Sequence, residues 1–213
     1  MNTRLLIAAL VLTPLIFLVP GWTSEPTPPP ASLLPAGVPA DSRVYDLDQS
    51  HSSVLFRIKH LDVAWFYGRF NKVTGSFNLD KEALATSHIK IEVETKSLDT
   101  NSAGRDQDMK SQGWLAASQF PTLSFESTKV ENGTAGAFKI TGDLKFRGKT
   151  RSVSFKAQHT GSGKVHDRFG YRTGYEAKFS IKRSDFGMSR MLKQKMLGDE
   201  IKLMISLEGI PRK

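Results

Sequence analysis

The chain contains no cysteine, so it offers a metal no thiolate ligand, and its histidines are the nitrogen side chains that could bind a metal or act as a catalytic base. They show neither the i, i+2 spacing of a metal pair on a strand nor the i, i+4 spacing of a pair on a helix: His51, His60, His88, His159 and His166. We therefore predict no metal site. The sequence also lacks a serine nucleophile elbow and a His-Glu-x-x-His motif, so catalysis is not indicated.

His60 ends a stretch with the pattern of a half-buried β-strand. The side chains of Val54, Phe56 and Ile58 face one side of an extended chain, and Arg57 and Lys59 face the other, where Leu55 interrupts the polar pattern. His60 falls on the same side, where an interior cavity would open or be sealed. Two interpretations stay open: a hydrogen-bonded structural histidine at a strand end, or a group that contacts the polar head of a ligand.

The same alternation recurs along the chain and predicts about eight strands in a sandwich or barrel. The links between the strands are too short for helical crossovers, so the strands are antiparallel. A barrel of this size is filled by side chains or holds one slender ligand, and composition does not distinguish the two. The pattern turns these side chains inward: Val54, Phe56, Ile58, Ile91, Val93, Phe125, Phe138, Ile140, Phe146, Phe155, Phe179, Ile181, Leu203 and Ile205.

Two segments interrupt the strand pattern. One helix is predicted near residues 102–116, with Asp106 and Asp108 in its first turn, where the helix dipole favours carboxylates. Residues 61–67 are apolar without a clean period, which favours a helical turn over one end of the sheet. Both are expected to lie outside the strand pattern.

The first 42 residues do not have the composition of a folded domain. Residues 5–19 carry no charge and follow Arg4, so residues 1–22 are predicted to be a signal peptide that is cleaved, or a membrane anchor that is retained. Residues 23–42 are rich in proline, which is typical of an extended linker. Residues 43–213 then form one domain of ordinary size, and we expect the protein to be exported.

The net charge of +9 favours an anionic partner such as a lipid surface. One basic run consists of Lys145, Arg147, Lys149 and Arg151, and it is also consistent with a solvated sheet face. A second run spans residues 182–195 and mixes its charges with Met188 and Met191, which suits a mobile lid, a membrane-surface contact or an ordinary covering loop. The alternative function is therefore a basic module with a filled barrel that binds an anionic membrane surface or protein.

An ordered set of short motifs resembles the YceI-like family. The set covers nearly the whole domain: His51-Ser52, Val54-x-Phe56-x-Ile58-x-His60, Gly68-x-Phe70, Gly75-x-Phe77, Ser97-Leu98-x-Thr100, Arg105-Asp106, Phe120-Pro121-x-x-x-Phe125, Gly142-x-Leu144, Arg183-x-Asp185-Phe186-Gly187 and Gly198-Asp199-Glu200. Each motif alone is weak, but the combination is specific. The resemblance implies a lipocalin-like, all-β fold: a single extended antiparallel barrel with an apolar tunnel.

The resemblance also implies a function: the binding of a polyisoprenoid or a similar long-chain amphiphile by a bacterial protein of the periplasm. It does not imply an enzyme, and an enzyme that acts on a lipid is the third alternative. On this basis the inward side chains named above are predicted to bind the chain of a polyprenyl quinone, a polyprenyl phosphate or a fatty-acid derivative. His60 and Arg105 are predicted to meet its head. The bound lipid would be the ligand, with no other cofactor and no nucleic acid, and a homodimer is possible.

Overall fold

The computed structural model describes residues 44–164 and 166–212. The predictions for residues 1–42 lie outside the described residues. One helix, α1 (Ala103–Lys110), accompanies strands that have these bounds: β1 (Tyr45–Leu47), β2 (Ser53–His60), β3 (Ala64–Phe70), β4 (Val73–Asn78), β5 (His88–Glu94), β6 (Leu98–Asp99), β7 (Thr122–Asn132), β8 (Phe138–Phe146), β9 (Lys149–Lys164), β10 (Tyr171–Lys182) and β11 (Leu197–Pro211).

Eight of these strands close into an antiparallel barrel in the order β1, β4, β5, β7, β8, β9, β10 and β11. The ring closes because β1 pairs with β4 on one side and with β11 on the other. Strand β2 pairs with the earlier part of β11, from Leu197 to Ser206, and β3 and β6 follow it. The predicted all-β, lipocalin-like barrel is confirmed.

The two ends of the barrel differ, and the strand register identifies them. At one end, which we call the mouth, Leu197 of β11 lies opposite His60 of β2. At the other end, which we call the base, Gly209 of β11 lies opposite Thr173, and the loop that joins β9 to β10 projects from there.

Strand β3 corrects the prediction of a helical turn over residues 61–67. These residues form the turn of the β2–β3 hairpin and the first half of β3. The prediction was wrong because three consecutive aromatic residues hide the alternation: Phe66 faces the ring of Phe56, while Trp65 lies among outward-pointing basic side chains. Gly68, which lies inside β3, leaves room for Phe56, since an added Cβ would come within 2.4 Å of that ring.

Helix α1 is confirmed but is shorter than predicted. It ends at Lys110, because Ser111 is extended, and the chain continues in turns that bury Trp114, Leu115, Ala116 and Ala117. None of the eight residues of the helix is itself buried. The second half of the predicted helix is therefore a buried turn segment in the structure.

Arg183 fixes the segment that runs over the mouth between β10 and β11. Its side chain is only 2 % exposed, and its guanidinium donates hydrogen bonds to the backbone carbonyls of Met188, Arg190, Leu197 and Gly198 over 2.7–2.9 Å. Burial lowers the pKa of Arg183, and the charge of Asp199 opposes this effect. Arg183, which belongs to the second basic run, is thus a structural residue of the fold and not a surface charge.

Candidate functional site

An apolar cavity of about 550 Å³ occupies the barrel. This volume lies within the roughly 300–1,000 Å³ of typical small-molecule sites. The inward side chains predicted from alternation line it with two exceptions, so the residues at its wall are Val54, Phe56, Ile58, Ile91, Val93, Phe125, Phe146, Phe155, Phe179, Ile181, Leu203 and Ile205. Their binding of a ligand stays a prediction, but the structure brings them to one surface.

The two exceptions, Phe138 and Ile140, do not line the cavity. Ile140 is fully buried and Phe138 is 2 % exposed. Phe138 packs edge-on against Tyr175 with ring centroids 6.0 Å apart, and Tyr175 packs against Phe77 at 5.4 Å. Burial raises the pKa of the Tyr175 hydroxyl to about 12. These aromatic rings fill the barrel towards its base, so the cavity has a floor.

The middle of the barrel stays open because its aromatic rings stack against the wall. Phe155 and Phe179 lie nearly parallel, with centroids 4.6 Å apart, and Phe125 packs on Phe155 at 5.2 Å. Leu203 and Ile205 face inward and yet are only half-buried, since they border the cavity. A completely filled barrel, which the sequence left open, does not describe this structure.

The mouth carries polar groups at the rim of the cavity. His60 and Arg105 both line the cavity and are both exposed, so the cavity reaches the surface at this end. The guanidinium of Arg105 lies 4.4 Å from the ring centroid of Phe66 and donates a hydrogen bond of 2.9 Å to Thr100 Oγ1. This arrangement can hold a polar or anionic head above an apolar chain.

Other residues at the cavity wall were not predicted from the sequence. They come from β3, from α1 and the turns after it, and from the segment between β10 and β11, and they include Phe66, Phe70, Met109, Trp114, Leu115 and Met188. Trp114 donates from its ring nitrogen to Asp108 over 3.0 Å. The apolar residues that follow α1 are the sequence feature that could have indicated this part of the cavity wall. Strand periodicity does not identify them, because they lie in turns.

The structure brings together three potential metal ligands that histidine spacing did not reveal: Asp48, His51 and Glu208. His51 Nδ1 lies 2.9 Å from Asp48 Oδ2, which raises the pKa of His51, while Glu208 also pairs with Arg172 at 3.2 Å. Spacing missed the group because Glu208 belongs to the far end of the domain. Its ion pairs join the β1–β2 turn to β11.

The first basic run contains three exposed residues and one residue that is hydrogen-bonded within the fold. Lys145, Lys149 and Arg151 are exposed. Arg147 instead donates hydrogen bonds of 3.0 Å to the carbonyls of Gly187 and Gln112. It therefore joins the β8–β9 turn to the segment between β10 and β11 and to the turns after α1.

Among the described residues, no helix is long and apolar enough to span a bilayer.

Fold and cavity together define a closed antiparallel β-barrel of the lipocalin-like kind with an apolar interior. The chain belongs to the YceI-like domain family, whose model matches residues 45–209. A UPF0312 protein of Pseudomonas aeruginosa is 40% identical over 173 residues, which cover 80% of this chain and 87% of that protein. A UPF0312 protein of Yersinia pestis is 36% identical over 176 residues, covering 82% and 88%.

Solved structures have the same fold. Burkholderia cenocepacia BcnA matches with a TM-score of 0.70 at 19% identity, over 77% of this chain and 99% of that one. The Campylobacter jejuni YceI protein matches with a TM-score of 0.61 at 26% identity, over 78% and 96%. A polyisoprenoid binding domain from Saccharophagus degradans has a TM-score of 0.61 at 12% identity, over 79% and 98%.

Proposed function

We propose that this protein binds one long-chain apolar amphiphile inside the barrel and sequesters or carries it outside the cytoplasm. The observation that carries the proposal is the apolar cavity of about 550 Å³ that reaches the surface beside His60 and Arg105. The polyisoprenoid binding domain of Saccharophagus degradans, which shares the fold, supports a polyisoprenoid as the ligand class. The cavity suits a slender chain, because its wall is built mainly of aliphatic and phenyl groups.

The polar head of the ligand lies at the mouth in this proposal. Each buried methylene contributes about 0.8 kcal/mol, so a few isoprene units offset the cost of ordering the chain. The guanidinium of Arg105 can donate a hydrogen bond to a phosphate, a carboxylate or a quinone oxygen, and His60 supplies a second polar contact. The inward side chains of the strands are apolar, which suits retention of a chain and not chemistry on it.

Export to the periplasm is part of the proposal. It is supported by the uncharged residues 5–19 that follow Arg4, and by the proline-rich residues that separate them from the domain. Cleavage of the segment would give a free carrier, and its retention would give one tethered to the inner membrane.

The test is the lipid content of the purified full chain. We expect native mass spectrometry and solvent extraction to reveal a bound long-chain lipid in the wild type. Phe179→Trp should lower the bound fraction strongly without unfolding the domain, because Phe179 lines the cavity and a larger ring there occupies the space of the chain.

The matched control is Ile140→Trp, which adds a similar ring at a fully buried position away from the cavity. It should lower the free energy of unfolding by about 1–3 kcal/mol through overpacking while the folded fraction keeps its lipid. Wild-type protein that takes up no chain of any length would end the proposal.

A further inference from the structure

The turn of the β2–β3 hairpin exposes apolar side chains at the mouth. Val63 is 82 % exposed, Leu61 is 50 % exposed, and Met196 from the segment before β11 is 40 % exposed. The backbone N–H of Leu61 donates to the carbonyl of Met196 over 3.0 Å, so the two segments present these side chains together. We call Leu61, Val63 and Met196 the mouth tip.

The backbone of this turn has an unusual conformation for its residue types. Leu61 and Asp62 both have positive φ, at 53° and 55°. A tight hairpin turn with positive φ normally uses Asn or Gly, because larger side chains are strained there. Here a leucine occupies one of these positions, although its side chain is half exposed and adds little to the core. Leu61 therefore occupies a strained position without filling the core, and exposed apolar side chains that lie together mark contact sites.

Basic and aromatic side chains lie directly behind the mouth tip on the outer face of the sheet. The ring of Trp65 is surrounded by Arg57 at 4.5 Å, Lys59 at 5.0 Å and Lys202 at 5.1 Å. Within the described residues, no carboxylate lies within ion-pair distance of Arg57 or Lys59, and Lys202 has only an exposed contact of 3.8 Å with Glu200. The positive charges of this group are therefore largely uncompensated.

The same turn borders the cavity. His60 and Ala64, the residues on either side of it, line the cavity, as do Met191 and Leu197 near Met196. A surface that contacts the mouth tip therefore lies next to the opening of the cavity. Apolar side chains in front, with tryptophan and basic groups behind them, are the arrangement of proteins that insert into the headgroup region of an anionic bilayer.

We propose that the mouth tip docks the protein on an anionic phospholipid surface, with Leu61, Val63 and Met196 entering the headgroup layer and Arg57, Lys59 and Lys202 contacting phosphates. The cavity then opens towards the bilayer, so that an apolar chain can pass between the two without crossing water. This docking does not depend on which ligand the cavity holds. A membrane is favoured over a second copy of the chain because the charges around Trp65 would repel their own copies.

A fluorescent label at position 63 tests the docking directly. Because the chain contains no cysteine, Val63→Cys creates one site for an environment-sensitive dye in the full chain. We expect the dye to brighten several-fold and shift to the blue on addition of vesicles with phosphatidylglycerol, but not with pure phosphatidylcholine vesicles. Removing one charge with Lys59→Gln should weaken the titration by about fivefold.

The matched control is Phe169→Cys. Phe169 is also a large apolar residue and its side chain is 55 % exposed, but it belongs to the β9–β10 loop at the base. Its dye should not respond, and Lys164→Gln in the same region should leave the response at position 63 unchanged. Equal responses at both positions, or equal responses to both kinds of vesicle, would show attachment by another part of the chain and overturn the proposal. A concentration-dependent shift at position 63 without vesicles would instead assign the tip to contact between copies.

Discussion

His159 opposes folding in acid because of where its ring lies. It is half-buried and packs on Tyr175 with centroids 5.1 Å apart. Burial lowers the pKa of His159 below its ordinary value of 6.5, and the positive charge of Lys81 adds to the effect. The unfolded chain therefore takes up this proton at a higher pH than the folded barrel does.

The expected result is a pH dependence that one substitution removes. The contribution of His159 to stability is complete above about pH 6.5 and is lost as the pH falls through its lower folded-state pKa. His159→Gln should flatten the fall in Tm between pH 7 and pH 5, as measured by circular dichroism. An unchanged profile would contradict the assignment.

His51 provides a control of opposite sign. Its hydrogen bond to Asp48 raises the pKa of His51, so its contribution to stability is present at low pH and is lost as the pH rises through the folded-state pKa. His51→Gln should therefore lower Tm at pH 5 and leave it nearly unchanged at pH 8.

The segment between β10 and β11 depends on one buried side chain for its position. Arg183→Met removes the donors of four backbone carbonyls while keeping most of the apolar volume. Since bonds from a charged donor are worth about 1.5–3 kcal/mol each and are not additive, we expect a loss of roughly 3 kcal/mol or more in urea unfolding. Arg190→Met is the control, because Arg190 makes a half-exposed ion pair of 3.8 Å with Asp108, which is worth about 1 kcal/mol or less. Equal losses would show that Arg183 does not anchor the segment.

Sequence alternation predicted the direction of side chains in the strands but not how deep each lies in the barrel. Ile140 and Phe155 are neighbours in the register of β8 and β9, and both face inward, yet Ile140 is fully buried and Phe155 lines the cavity. Phe138, Tyr175 and Phe77 pack together at the base although they come from three different strands, so contacts between distant segments determine where the barrel is filled. The period-two alternation within one strand does not predict such contacts between strands.

The elements over the mouth were the hardest to predict for a related reason. Trp65 breaks the apolar alternation of β3 because it packs on basic side chains outside the barrel, and Trp114 is buried from a turn without any regular period. The sequence alone suggests that Arg183 is a surface charge. Its hydrogen-bond partners are backbone carbonyls, which every residue type carries, so no pattern of side chains indicates them.

For the molecule as a whole, a cavity with an open mouth and a filled base sets a limit on chain length. Each methylene that enters contributes about 0.8 kcal/mol, so affinity should rise roughly fourfold per methylene. The rise should stop when the chain reaches the floor formed by Phe77 and Tyr175. Calorimetric titration with a series of prenyl alcohols of increasing length measures this, and an affinity that does not depend on length would contradict an internal site.

The pairing of β11 with β1, β2 and β10 has a consequence for biosynthesis. Until β11 emerges from the ribosome, the edges of β1, β2 and β10 that it will cover stay unpaired, and unpaired edges recruit strands from other chains. Closing a ring between the two extremes of the domain is also a contact of high sequence separation, which makes folding slow. The barrel therefore cannot close until its last strand has been synthesised, and the strands that flank β11 keep a free edge during that interval.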